Sequence, residues 1–88
     1  MDIRSALRQY FRIYLKGAES RDLQDDTPLL SSGIIDSIGV VGLIDFIENK
    51  FDIEFMPREL NRDSLETIER IHEAIERKLA GKEARRTP

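Results

Sequence analysis

The chain has 88 residues, of which 40% are hydrophobic and 35% charged, with no cysteine and a formal net charge of −3. That length makes one small domain with a compact apolar core, and the missing cysteines exclude disulfides and thiolate metal sites. No apolar run reaches the length of a signal peptide or a membrane span, so a cytoplasmic protein that does not bind membranes is expected.

The charge is uneven along the chain: residues 1–21 sum to +3, residues 22–54 to −7 and residues 55–88 to +1. An acidic middle third favours partners with basic surfaces and repels nucleic acid phosphates. The simpler reading of the same block is a solvated acidic face.

From Ile3 to Leu15, the apolar residues Ile3, Ala6, Leu7, Tyr10 and Tyr14 fall on one side of a 3.6-residue period, which predicts a first amphipathic helix. Arg4, Arg8, Arg12 and Lys16 fall largely elsewhere and read as a solvated flank, and Gly17 reads as the helix stop. Residues 18–35 form a long connection. Asp22, Gln24, Asp25, Asp26, Thr27 and Pro28 are turn material, while Leu23, Leu29, Leu30, Ile34 and Ile35 are apolar anchors that pin the loop over the bundle. A loop this long is uncommon in a compact domain unless it is functional.

The loop ends in Asp36-Ser37, and an apolar-periodic segment runs from there to Phe51. Asp36 suits a helix N-cap, because its carboxylate accepts from the free N–H groups of the first turn. Ser37 then stands where those N–H groups and the helix dipole favour an anion. At 100° per residue Val40, Leu43, Ile44, Ile47 and Phe51 share the core face. Ile38, Val41, Asp45, Glu48 and Asp52 share another face, apolar near Ser37 and acidic further on, which suits docking. Gly39 and Gly42 lie on a third flank with Phe46. Each glycine costs the helix about 1 kcal/mol against alanine, read either as tolerated weakness or as room for a close approach.

Beyond Asp52-Ile53-Glu54-Phe55-Met56, Pro57 suits the first position of a short third helix running to about Asn61. Asp63 and Glu66 have capping-box spacing ahead of a fourth helix that runs to about Ala80. Leu65, Ile68, Ile71, His72, Ile75 and Leu79 form its stripe. Gly81 is expected to end it, leaving residues 81–88 as a disordered tail after a domain of residues 1–80.

The segment Gly33-Ile34-Ile35-Asp36-Ser37-Ile38, with the helix to Phe51 and the layout downstream, resembles the acyl carrier protein family and its peptidyl and aminoacyl relatives over roughly residues 3–80. In that family an Asp-Ser-Leu motif opens the second helix, and isoleucine replaces the leucine here. The resemblance implies an all-α bundle of three longer helices and one short one, with the long first loop packed across it. It implies a 4′-phosphopantetheine arm on Ser37, drawn from coenzyme A by a phosphopantetheinyl transferase that Asp36 helps to guide. Acyl groups of fatty acid, polyketide or related biosynthesis would ride on the arm as thioesters, and the tether raises their effective concentration at each docked enzyme. The thiol must belong to the arm, since the chain has none.

Asp36, Ile38, Val41, Asp45 and Glu48 are the expected contacts to acyl-loading and acyl-processing enzymes with basic docking surfaces. The two glycines would admit a partner or the arm closely, and many family members carry polar or charged residues there. A free-standing, monomeric, non-catalytic carrier is expected, with an aminoacyl or peptidyl carrier as the alternative. Two readings from other classes remain. One is a helical interaction module that never carries an arm. The other is a small serine hydrolase pairing Ser37 with His72, although a Gly-x-Ser-x-Gly elbow would need glycine at Ile35. No metal-binding spacing or phosphate-cradling glycine loop is present in the sequence.

Overall fold

Leu7 and Phe11, one helical turn apart, are completely buried and mark the core-facing side of the first helix. The computed structural model describes residues 2–15, 23–56 and 59–86. Within them the chain forms α1 (Ile3–Leu15), α2 (Ser37–Phe51), α3 (Arg62–Leu65) and α4 (Ile68–Arg86). The fold is the expected all-α bundle of three longer helices and one short one. α4 packs against both α1 and α3.

The core joins Leu7 and Phe11 to Leu43, Ile47 and Phe51 of α2 and to Ile68, Ile71 and Ile75 of α4. The long first loop contributes Leu23, Leu29 and Ile35, which are buried as anchors, with Leu30 and Ile34 half-buried beside them. Burying a side chain of this size stabilises the fold by about 1.5–3 kcal/mol, so the loop's apolar residues make it part of the core. Polar ties hold it as well. Arg8 of α1 donates to the Leu23 carbonyl at 2.9 Å and pairs with Asp25. Arg4 lies 3.4 Å from the same carboxylate and 3.7 Å from Glu69 of α4. The Asp25 carbonyl accepts from the Glu69 N–H at 3.0 Å.

Several expected details are corrected. Tyr14 is 44% exposed, and Phe11 occupies the core position expected of it. Phe11 follows Leu7 at the four-residue spacing that keeps two side chains on one face. Arg4, Arg8 and Asp25 are engaged in loop ties rather than simply solvated. The helix expected from Pro57 to Asn61 begins at Pro57 and Arg58, which lie outside the described residues; a short helix lies at Arg62–Leu65. Asn61 is its cap, extended in backbone, with Oδ1 accepting from the Ser64 N–H at 2.8 Å.

Asp63 and Glu66 do not form a capping box. The Glu66 side chain reaches across to the first loop, and Thr67 Oγ1 accepts from the Arg70 N–H at 3.1 Å at the start of α4. α4 continues through Gly81 to Arg86. Among the described glycines only Gly33 has positive φ, so Gly81 keeps a helical backbone and does not act as a left-handed stop. Gly17, the expected end of α1, lies outside the described residues.

Candidate functional site

α2 begins where the sequence pattern places it. Asp36 is extended (φ −99°, ψ −176°), and its Oδ1 accepts from the Gly39 N–H at 2.8 Å. Its carbonyl accepts from the Val40 N–H at 3.0 Å, the first bond of the helical ladder. The N–H groups of Ser37 and Ile38 precede that ladder and point out of the helix end. Ser37 is exposed, at the positive end of a 15-residue helix.

The approach to Ser37 is a tight turn. Gly33 has φ +81°, a conformation costly for a residue with a Cβ. The Gly33 N–H donates to the Leu30 carbonyl at 3.1 Å, and the Ile35 N–H donates to the Leu29 carbonyl at 3.0 Å. Beside Ser37 opens a cleft of about 640 Å³. Its walls are Leu30 and Ile35 of the loop, Val40 and Ile44 of α2, and Leu60, Arg62 and Leu65 around α3. No periodicity links Leu60, Asn61, Arg62 and Leu65 to the serine; only the folded chain brings them beside it.

Of the five residues expected at a docking face, four lie fully on the surface. Asp36 and Asp45 are exposed, as are Ile38 (82%) and Val41 (68%). Two apolar side chains this bare, one turn apart on one helix, form a continuous oily strip next to Ser37. Glu48 is half-buried, and its Oε2 accepts from the Phe55 N–H at 2.9 Å, so it braces the turn after α2. Asp52 closes α2 in the left-handed region (φ 54°).

The glycines of α2 admit a neighbour within the fold. A Cβ on Gly39 would lie 2.5 Å from Tyr14 Oη and 2.9 Å from Ile35 Cγ2; one on Gly42 would lie 3.3 Å from Tyr10 Oη. The Tyr10 ring stacks on Phe46 at 4.5 Å between centroids. Burial, then the nearby Tyr14 and Asp45, raises the Tyr10 phenol above its ordinary pKa.

Glu66 is the residue that sequence reasoning missed. Its Oε1 accepts from the Leu30 N–H at 2.7 Å and the Ser31 N–H at 3.0 Å, and its carbonyl accepts from the Leu29 N–H at 2.6 Å. The Ser31 N–H, then the Ser31 hydroxyl, the Leu30 N–H and the Arg62 charge hold its carboxyl below the ordinary glutamate range. A glutamate between two helices has no periodicity to reveal such a reach.

His72 is half-buried on α4, with Nε2 3.6 Å from Glu76, and does not line the cleft at Ser37. Among the described residues no group of His, Asp or Glu is arranged to hold a metal ion. No described helix is long and apolar enough to cross a membrane.

A family model described as a phosphopantetheine attachment site matches residues 2–75. The chain belongs to this family of phosphopantetheine attachment site domains. Such domains are non-catalytic carrier modules associated with phosphopantetheine, and the hydrolase reading is set aside on that ground. They typically work with phosphopantetheinyl transferases and acyl-processing enzymes. The matched stretch of this phosphopantetheine attachment site domain takes in α1, the first loop, α2, α3 and the buried part of α4 through Ile75.

Proposed function

We propose that this domain is an acyl carrier protein whose Ser37 bears a covalent 4′-phosphopantetheine arm. The observation that carries the reading is the exposed residue Ser37 immediately after the Asp36 cap, at the start of α2, in a chain of this family. The fit to the arm is chemical. The Ser37 and Ile38 N–H groups and the positive end of the helix dipole would favour the negative charge of a phosphodiester on Ser37 Oγ. Asp36 turns its carboxylate inward onto the Gly39 N–H and keeps the first turn fixed.

Attachment is a balanced phosphoryl-type transfer. The Ser37 oxygen forms a bond to phosphorus, the pyrophosphate linkage of coenzyme A breaks, and the adenosine bisphosphate portion leaves. The serine proton passes to a base of the transferase. Once bound, the arm supplies the thiol that this cysteine-free chain lacks, and acyl groups of fatty acid or polyketide type attach to it as thioesters. The chain's own part is to hold the anchor still and to present a docking strip. Ile38 and Val41 supply apolar contact, and Asp36 and Asp45 supply charge for basic partner surfaces. Glu48 contributes less directly, since it is bonded to the Phe55 N–H.

Incubation with coenzyme A, magnesium and a promiscuous phosphopantetheinyl transferase tests this. The intact mass is expected to rise by one phosphopantetheinyl group in the native sequence and to stay unchanged in Ser37→Ala. An unchanged mass in the native sequence leaves the interaction-module reading instead. A gain that persists in Ser37→Ala moves the arm to another residue.

A further inference from the structure

We propose that Glu66 is a positioning residue for the modification of Ser37, a latch that fixes the loop leading to the serine against the α3–α4 junction. The inference rests on the reading of Ser37 as the attachment site. Three consecutive loop residues donate to this one residue: Leu29 to its carbonyl at 2.6 Å, and Leu30 and Ser31 to its Oε1 at 2.7 and 3.0 Å. From there the bonding is continuous to the helix start. The Leu29 carbonyl accepts from Ile35, and Asp36 follows with its two bonds into the first turn of α2.

Glu66 does not line the cleft itself, but residues on either side of its bonds do. Leu65, the residue before Glu66, and Arg62, one helical turn before it, line the same cleft as Ser37 and Leu30. Glu66 thus ties one wall of the cleft to the other. Without its carboxylate, the Leu30 and Ser31 N–H groups lose their acceptor; the turn through Gly33 keeps its internal bonds, but of the three N–H ties to Glu66 only that from Leu29 remains. Ser37 would keep its helix but spend less time in the arrangement a transferase recognises. When only a fraction of molecules is competent to bind, the apparent affinity falls by that fraction, while the chemical step in the bound complex is untouched.

Three variants read this out under the transferase assay, with KM and kcat for the carrier measured separately and helicity checked first. Glu66→Ala is expected to raise KM about fivefold with kcat unchanged, in line with a competent population of about one in five. Glu66→Gln keeps an oxygen at the same reach and is expected to restore KM to within about twofold. Hydrogen exchange at the Leu30 and Ser31 amides should accelerate in Glu66→Ala and not in Glu66→Gln. If Glu66→Ala does not fold, Glu66→Asp, which keeps the charge and loses one methylene of reach, is expected to show the same rise in KM.

A folded Glu66→Ala modified with native KM overturns the inference, as does unchanged exchange at Leu30 and Ser31 or a loss confined to kcat. Failure of Glu66→Gln to rescue also overturns it. Absence of modification in the native sequence is a different result, which strikes the attachment reading itself while the exchange data still judge the latch.

Discussion

α2 is held in two different ways on its two sides. Against α1 the contact is close packing: Tyr14 and Tyr10 lie where Gly39 and Gly42 have no side chain, Tyr10 stacks on Phe46, and Phe11 is buried in the core shared with Leu43 and Ile47. On the side that leads to Ser37, single polar atoms, Asp36 Oδ1 and Glu66 Oε1, add to the burial of Leu29 and Ile35. Dispersion and burial are spread over many atoms, so that side should govern how stable the bundle is. The polar side is a short series of bonds, each of modest net worth, and should govern where the serine sits.

The largest break in this comparison comes from the packed side. Phe11→Ala is expected to cost about 3–5 kcal/mol in urea unfolding, a large part of the total stability of a small domain, about 5–15 kcal/mol. The glycines sharpen it next. Gly39→Ala puts a methyl into Tyr14 and the buried Ile35; the overpacking, less the helix-propensity gain, should give a net loss of up to about 2 kcal/mol. Gly81→Ala meets nothing within 4 Å on a helical backbone and should instead gain up to about 1 kcal/mol. Opposite signs for the same substitution, read by denaturation, would show that crowding by Tyr14 and Ile35 at Gly39 outweighs helix propensity.

On the polar side, Asp36→Ala should cost about 1 kcal/mol by loss of the cap and should slow modification of Ser37 by more than that stability change accounts for. The smallest effect is a pH dependence. Glu66 has its carboxyl lowered in the folded state, so its bonds add stability that is complete above the ordinary glutamate pKa and is lost as pH falls through the lower folded value. The Leu30 and Ser31 amide resonances should therefore titrate together with a midpoint below that of an ordinary glutamate. A midpoint at or above it would mean the carboxylate is not the acceptor.

This division also decides what could be read from the sequence. Repeating apolar spacing announces burial, so Leu43, Ile47 and Phe51 of α2 were legible. Val40 and Ile44, expected in the core with them, are half-buried and line the cleft. Leu23, Leu29 and Ile35 were legible as apolar residues in a polar loop, and Asp36 as a cap beside its serine. Tyr14 and Phe11 show the limit of that signal: both lie near the expected stripe of α1, and only the packing of α2 decides which one is covered. The two glycines were readable as gaps, but their occupants, Tyr14 and Tyr10, lie on another helix. Glu66 was beyond reach, because its partners Leu30 and Ser31 are more than thirty residues away in the chain. The four-residue helix Arg62–Leu65 is too short to show an apolar period, and its one local mark is the Asn61 cap.

The most direct test of the attachment reading is the tandem mass spectrum of the Ser37-containing peptide from protein purified from its own host. The account predicts a phosphodiester-linked phosphopantetheine on Ser37, with any acyl cargo attached through its sulfur. A peptide carrying only an unmodified Ser37, with the protein found bound to a partner in that state, would contradict it.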